Sequence, residues 1–186
     1  MQGKNYLNGN RSMKVFITNL GRYNEGYLVG KWVKLPVDDE TLDKVLEEIG
    51  INEQYEEYFI TDYENEFVAI GDVISEYSSV AALNKLAERL EVLSDADADK
   101  LGAVLEYEAC RSVAEVIDLL DELDEFDLLP DVTDDEGLGY YYVEEYGSID
   151  IPEHLKNYFD YETFGRDVRL ENSCLFTSYG FLLDNR

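Results

Sequence analysis

From Ser112 to Leu155, forty-four residues pass without a lysine or arginine, and fifteen of them are aspartate or glutamate. This stretch limits what the chain can fold into, because each carboxylate must face solvent or find a cation from elsewhere. Its start, EVIDLLDELDE, predicts an amphipathic helix. Val116, Leu119, Leu120 and Leu123 recur at 3,4-spacing on one face, and Glu115, Asp118, Glu122 and Glu125 recur on the opposite face. Like charges at that spacing cost roughly 0.2–0.5 kcal/mol per pair. A surface that needed only solubility would intersperse lysines, and this one does not. A second basic-free stretch, Val45 to Asn84, carries ten more acids.

The formal net charge over 186 residues is −27, with 45% apolar residues and fifteen tyrosines. That aromatic content belongs to a folded chain rather than a disordered acidic tail. A field of this sign repels nucleic acid and anionic membrane and attracts basic surfaces. Binding to DNA is excluded, and a partner that itself binds DNA is favoured. Halophilic adaptation is the plain alternative for an acid-rich surface. Cys110 and Cys174 are too few and too far apart for a disulfide framework or a metal site, and fit a reducing cytoplasm. No apolar run reaches membrane-span length, and the first residues have no apolar signal core.

Residues 1–12 are polar and aperiodic and read as a disordered leader. KVFIT (14–18), residues 27–36 and residues 57–64 have strand composition. NLGRYNEG between the first two reads as a loop. Asp38 or Asp39 caps a helix that Gly50 closes. Together these predict an N-terminal α+β domain over 13–78, a small antiparallel sheet plus a helix. Residues 79–126 read as a helical middle domain. Its leucines fall at 83, 86, 90 and 93, with Ser94 and Asp97 as a capping box and Ser112 capping the acidic helix. Residues 127–186 read as a mixed C-terminal domain: a loop DLLPDVTDDEG, a helix over 137–147, a helix begun by Pro152, and a hairpin about Tyr179–Gly180. The fold class is α+β.

Little in the chain suggests catalysis. Asp95-x-Asp97-x-Asp99 with Glu106 at the twelfth position has the spacing of a calcium-binding EF-hand loop. Lys100, however, stands where glycine permits the turn, and no second loop exists to pair with it. His154, the single histidine, lies at a helix start with no nucleophile context. Forty-two acids supply so many carboxylate pairs that none marks a glycosidase centre. No phosphate-cradling loop is present, and no metal or cofactor is implied.

Carboxylates at 3,4-spacing recur about every 4.5–6 Å along a helix axis, against about 3.4 Å for the phosphates of one B-DNA strand. A folded chain carrying such rows can therefore occupy a groove built for duplex DNA. The candidates are Glu53, Glu56, Glu57, Asp62 and Glu64, then Glu115, Asp118, Asp121, Glu122, Asp124, Glu125, Asp127, Asp134, Asp135, Glu136, Glu144 and Glu145. A general acidic decoy or chaperone for basic nucleic-acid-binding proteins, or a calcium-binding module, would be the alternative.

Residues 152–170, PEHLKNYFDYETFGRDVRL, resemble the antirestriction motif of the ArdA family, carried by conjugative plasmids and transposons. The specific part is Asn157, Tyr158, Asp160, Tyr161, Phe164, Gly165, Arg166 and Asp167 within NYFDYETFGRD. FITNLGRYNEGYLVGKWVKLP (16–36) is similar to the family's opening, so the likeness spans about residues 13–186. The resemblance implies an elongated, curved protein of three domains whose acids mimic bent B-form DNA. It also implies a homodimer joined through the C-terminal domain, and a non-enzymatic inhibitor of the methyltransferase core of type I restriction–modification enzymes. By similarity, Asn157–Asp167 is structural or lies near the dimer contact, with Arg166 and Asp167 able to pair locally.

Overall fold

Alternation of buried and half-buried residues in MKVFITN makes β1 (Met13–Asn19) the middle strand of the first sheet, in a computed structural model that describes residues 12–65 and 68–186. β2 (Gly30–Leu35) and β3 (Tyr58–Asn65) flank it, both antiparallel. The chain is therefore mixed α+β as expected, with two three-stranded antiparallel sheets. The expectation for residues 1–12 lies, Ser12 apart, outside the described residues.

Contacts divide the chain into two compact units, Met1–Ala98 with Cys110–Leu120, and Asp99–Ala109 with Asp121–Arg186. In the first, Met13, Val15, Ile17, Val33, Leu35 and Ile60 bury one face of the sheet. Asp38 caps α2 (Asp39–Glu48) by accepting from the Thr41 backbone N–H at 2.8 Å, and Gly50 takes φ +81° just past its end. α2 and α3 (Val80–Glu91) both pack on β2, and Val37 N–H donates to Asn84 Oδ1 at 2.6 Å. Leu83, Leu86 and Leu90 form the buried stripe the leucine spacing predicts.

NLGRYNEG is not a loop throughout. Leu20–Asn24 forms a short helix, α1. Asn19 ends β1 and caps α1 at once, accepting from Arg22 N–H at 3.0 Å while its amide donates to the Ile49 and Gly50 carbonyls. The glycines at 21 and 26 hid a helix that one buried asparagine secures.

α4 (Asp95–Tyr107) follows Ser94, whose hydroxyl accepts from Asp97 N–H at 3.1 Å, as the capping-box spacing predicts. Ser112 likewise receives Glu115 N–H at 3.3 Å ahead of α5 (Val113–Asp121). The acidic helix is shorter than predicted. It stops at Asp121, passes through a 3₁₀ turn at Leu123–Glu125, and becomes β4 (Phe126–Leu129). Glu122 and Glu125 therefore lie beyond α5 and do not continue its row.

In the second unit β4 pairs with β6 (Gly180–Asp184), which pairs with β5 (Cys174–Thr177) across the expected hairpin. Gly180 is required at φ +130°, where an added Cβ would also stand 2.5 Å from the Leu129 carbonyl oxygen. α6 (Asp135–Tyr140), capped by Asp134, runs into a π-helical turn over Tyr141–Glu145 rather than an α-helix reaching 147. The helix expected from Pro152 is instead a 3₁₀ turn, Glu153–Tyr158. Asp160 then caps α7 (Tyr161–Glu171), accepting from Thr163 N–H at 3.0 Å. Val132, Leu138 and Phe181 form this unit's apolar cluster, with Val168 and Phe176 packed against it.

Candidate functional site

The acids of the first unit stand on short rigid features. Glu53 sits at the tip of a turn in which Asn52 Oδ1 accepts from Gln54 N–H at 2.8 Å and Tyr55 N–H at 3.2 Å. Glu56 and Glu57 follow it into β3 and are exposed. Asp62 and Glu64 lie on the sheet face turned away from the core. There Asp62 opposes Phe16, and Glu64 accepts from Lys14 Nζ at 2.9 Å. α5 adds Glu115, which accepts from Arg111 N–H at 2.7 Å, and the exposed Asp118.

In the second unit Asp121, Glu122, Asp124, Glu125 and Asp127 are exposed around the 3₁₀ turn and β4, as are Asp134, Glu136 and Glu145 about α6. Two candidates behave otherwise. Asp135 is half-buried and held by both arms of Arg169, at 2.7 and 3.0 Å, so that guanidinium keeps its carboxyl below the usual range. Glu144 is half-buried too. It accepts from Lys156 at 2.6 Å and Tyr161 Oη at 2.9 Å, which lower its carboxyl pKa in that order. Arg186 grips Asp184 and Glu108, donates to Glu122 at 3.0 Å, and lies 4.4 Å over the Phe126 ring. Asp127 accepts from the Asn185 amide at 2.9 Å.

Sorting by partner separates two kinds of acid. Asp135 and Glu144 hold the second unit together. Glu53, Glu56, Glu57, Asp118, Asp124, Glu125, Glu136 and Glu145 make no ion pair among the described residues. The pairs of Lys156 with Glu144, Arg169 with Asp135 and Arg186 with Glu122 span 12, 34 and 64 positions and leave no local signature in the sequence.

The NYFDYETFGRD segment is a helix junction. Phe159 stacks edge-on against Tyr161 and Phe164 at 5.0 and 5.6 Å, and Tyr161 anchors to Glu144. Gly165 lies where α7 crosses α6 backbone to backbone: a Cβ there would stand 1.9 Å from the Asp135 carbonyl oxygen. Gly139 on α6 answers it, its own Cβ falling 1.9 Å from the Tyr161 carbonyl oxygen. Arg166 and Asp167 meet at 3.4 Å, both exposed, which is the local pair the residues suggested. Asn157 and Tyr158 are exposed.

The calcium alternative does not survive this geometry. Residues 95–107 are helical rather than looped, so Asp95, Asp97 and Asp99 do not converge. Glu106 receives the Ser178 backbone N–H at 2.8 Å and its hydroxyl. No cluster of three metal-ligating side chains occurs among the described residues. No helix among them is long and apolar enough to cross a membrane.

The sequence model of one protein family, that of the antirestriction protein (ArdA), matches residues 15–183. No curated protein matches the chain significantly.

Proposed function

Because the chain belongs to the ArdA family of antirestriction proteins, we propose that it blocks restriction without catalysis, as an acidic mimic of duplex DNA. Its target is the DNA-binding site of a type I restriction–modification enzyme, on the methyltransferase core, so modification is blocked with restriction. The observation that carries this reading is the set of exposed carboxylates left without ion pairs. Lysines and arginines that normally contact phosphates would engage these groups and release their own counterions. The proposed organisation is the family's: a cytoplasmic protein of three small domains, dimeric through residues 127–186.

A general acidic decoy would bind many basic proteins alike, whereas a mimic competes for one site. Titration of the protein against a type I methyltransferase holding a labelled duplex separates the two. Displacement near stoichiometry, with histone-like proteins far weaker as ligands, is the expected result. Equal binding to all basic proteins without displacement would overturn it.

A further inference from the structure

The apolar core of the first sheet lies on one face, with Met13, Val15 and Ile17 buried there. On the other, Phe16 of β1 stands opposite Trp32 of β2 and Asp62 of β3, the two rings meeting edge-on at 5.4 Å. Tyr23 and Phe59 form a second edge-on pair at 5.2 Å. Together with Tyr63 and Glu76 they line an open groove of about 590 Å³. A neighbouring groove of about 630 Å³ shares Tyr23, Phe59 and Glu76 and adds Glu56, Glu57 and Tyr77. Trp32 is 39% exposed, Tyr23 49% and Tyr77 88%. Among the described residues, no lysine or arginine lines either groove.

Large rings left in water beside carboxylates are costly for a domain that needs only to fold. The pairing of ring faces with carboxylates is chemically specific. A guanidinium is planar, weakly hydrated and permanently charged, so it stacks on a ring while donating to an adjacent carboxylate. A lysine ammonium, compact and strongly hydrated, does this poorly.

We propose that this groove is an anchoring site for an arginine side chain presented by the partner's DNA-binding surface, held between the aromatic rings and Asp62. The inference rests on the DNA-mimic reading and adds to it a localised contact that selects arginine within an otherwise diffuse field.

Trp32 is the single tryptophan and therefore a built-in reporter. Two nonapeptides of equal charge, one with three arginines and one with three lysines, are titrated against the whole protein in about 0.2 M salt, where long-range attraction is screened. The arginine peptide should change Trp32 emission saturably and bind roughly tenfold more tightly, as one well-packed contact allows. By calorimetry, Trp32→Ala and Asp62→Asn should each erase that preference. Trp32→Ala should also raise the concentration needed to displace duplex from the methyltransferase by about tenfold.

Equal affinity for both peptides with unchanged emission overturns the proposal. So does a wild-type dimer that Trp32→Ala converts to monomer, since the groove would then be covered by a second copy. Failure of mimicry looks different: the wild type would displace no duplex, and the peptide titration would still decide the groove.

Discussion

The two stretches without lysine or arginine look alike in sequence and fare differently in the fold. In 112–155, cations from later in the chain return to neutralise chosen acids: Lys156 to Glu144 and Glu153, Arg169 to Asp135, Arg186 to Glu122. Asp135 and Glu144 are only 21% and 19% exposed in these pairs. In 45–84, the pairs among the described residues are Lys31 with Glu48 and Lys14 with Glu64, whose acid side chains are 58% and 61% exposed. Surface pairs of that kind contribute about 0–1 kcal/mol. One stretch therefore uses some of its acids as structure, while the other leaves nearly all of them as field. A charge count cannot tell these fates apart.

The largest effect that would break this comparison is steric and lies in the second unit. Gly165→Ala should destabilise it by about 3 kcal/mol or prevent its folding, because the added carbon meets backbone rather than a movable side chain. A melting temperature within a few degrees of wild type would refute the close crossing. Asp135→Ala should cost about 1–2 kcal/mol, discounted for partial exposure, by leaving Arg169 unpaired. Glu57→Ala, in the first unit, should be within about 0.5 kcal/mol of wild type by denaturant melts.

The pH response sharpens the contrast. Hydrogen bonds from Arg169, Lys156 and Arg186 lower the carboxyl pKa of Asp135, Glu144 and Asp184. Groups with depressed folded values stabilise above their unfolded values, about 4, and lose that contribution as pH falls through the folded ones. Stability of the second unit should accordingly fall below about pH 4, and Asp135→Asn should flatten that fall in an acid titration followed by circular dichroism. Smaller still, added sodium chloride should raise the melting temperature by screening self-repulsion. Replacing any one of Glu53, Asp118, Asp124, Glu125, Glu136 or Glu145 should leave inhibition nearly unchanged, whereas neutralising Asp118, Asp124 and Glu125 together should weaken it several-fold.

Local signals made much of the fold legible. The caps at Asp38, Ser94 and Ser112, the leucine stripe of α3 and the terminal hairpin all stand where their few residues predict. What stayed hidden depends on distant partners. FDLL at 126–129 is too short to show alternation and is a strand only because residues 181–184 pair with it. The break at Phe159–Asp160, which ends the 3₁₀ turn and starts α7, is set by ring stacking and the Asp160–Thr163 cap rather than by Pro152. Of the candidate acids, most are exposed, as their setting in the sequence suggests, but partnership was not legible. Asp135 and Glu144 read like their neighbours until Arg169 and Lys156 reach them.

The most direct test of the mimicry account is the salt dependence of binding to a type I methyltransferase, measured beside that of the enzyme's own duplex from about 0.05 to 0.3 M sodium chloride. If unpaired carboxylates replace phosphates, log K should fall linearly with log salt for both ligands, with slopes of the same order. Tight binding by this protein that barely changes across the series would contradict the account.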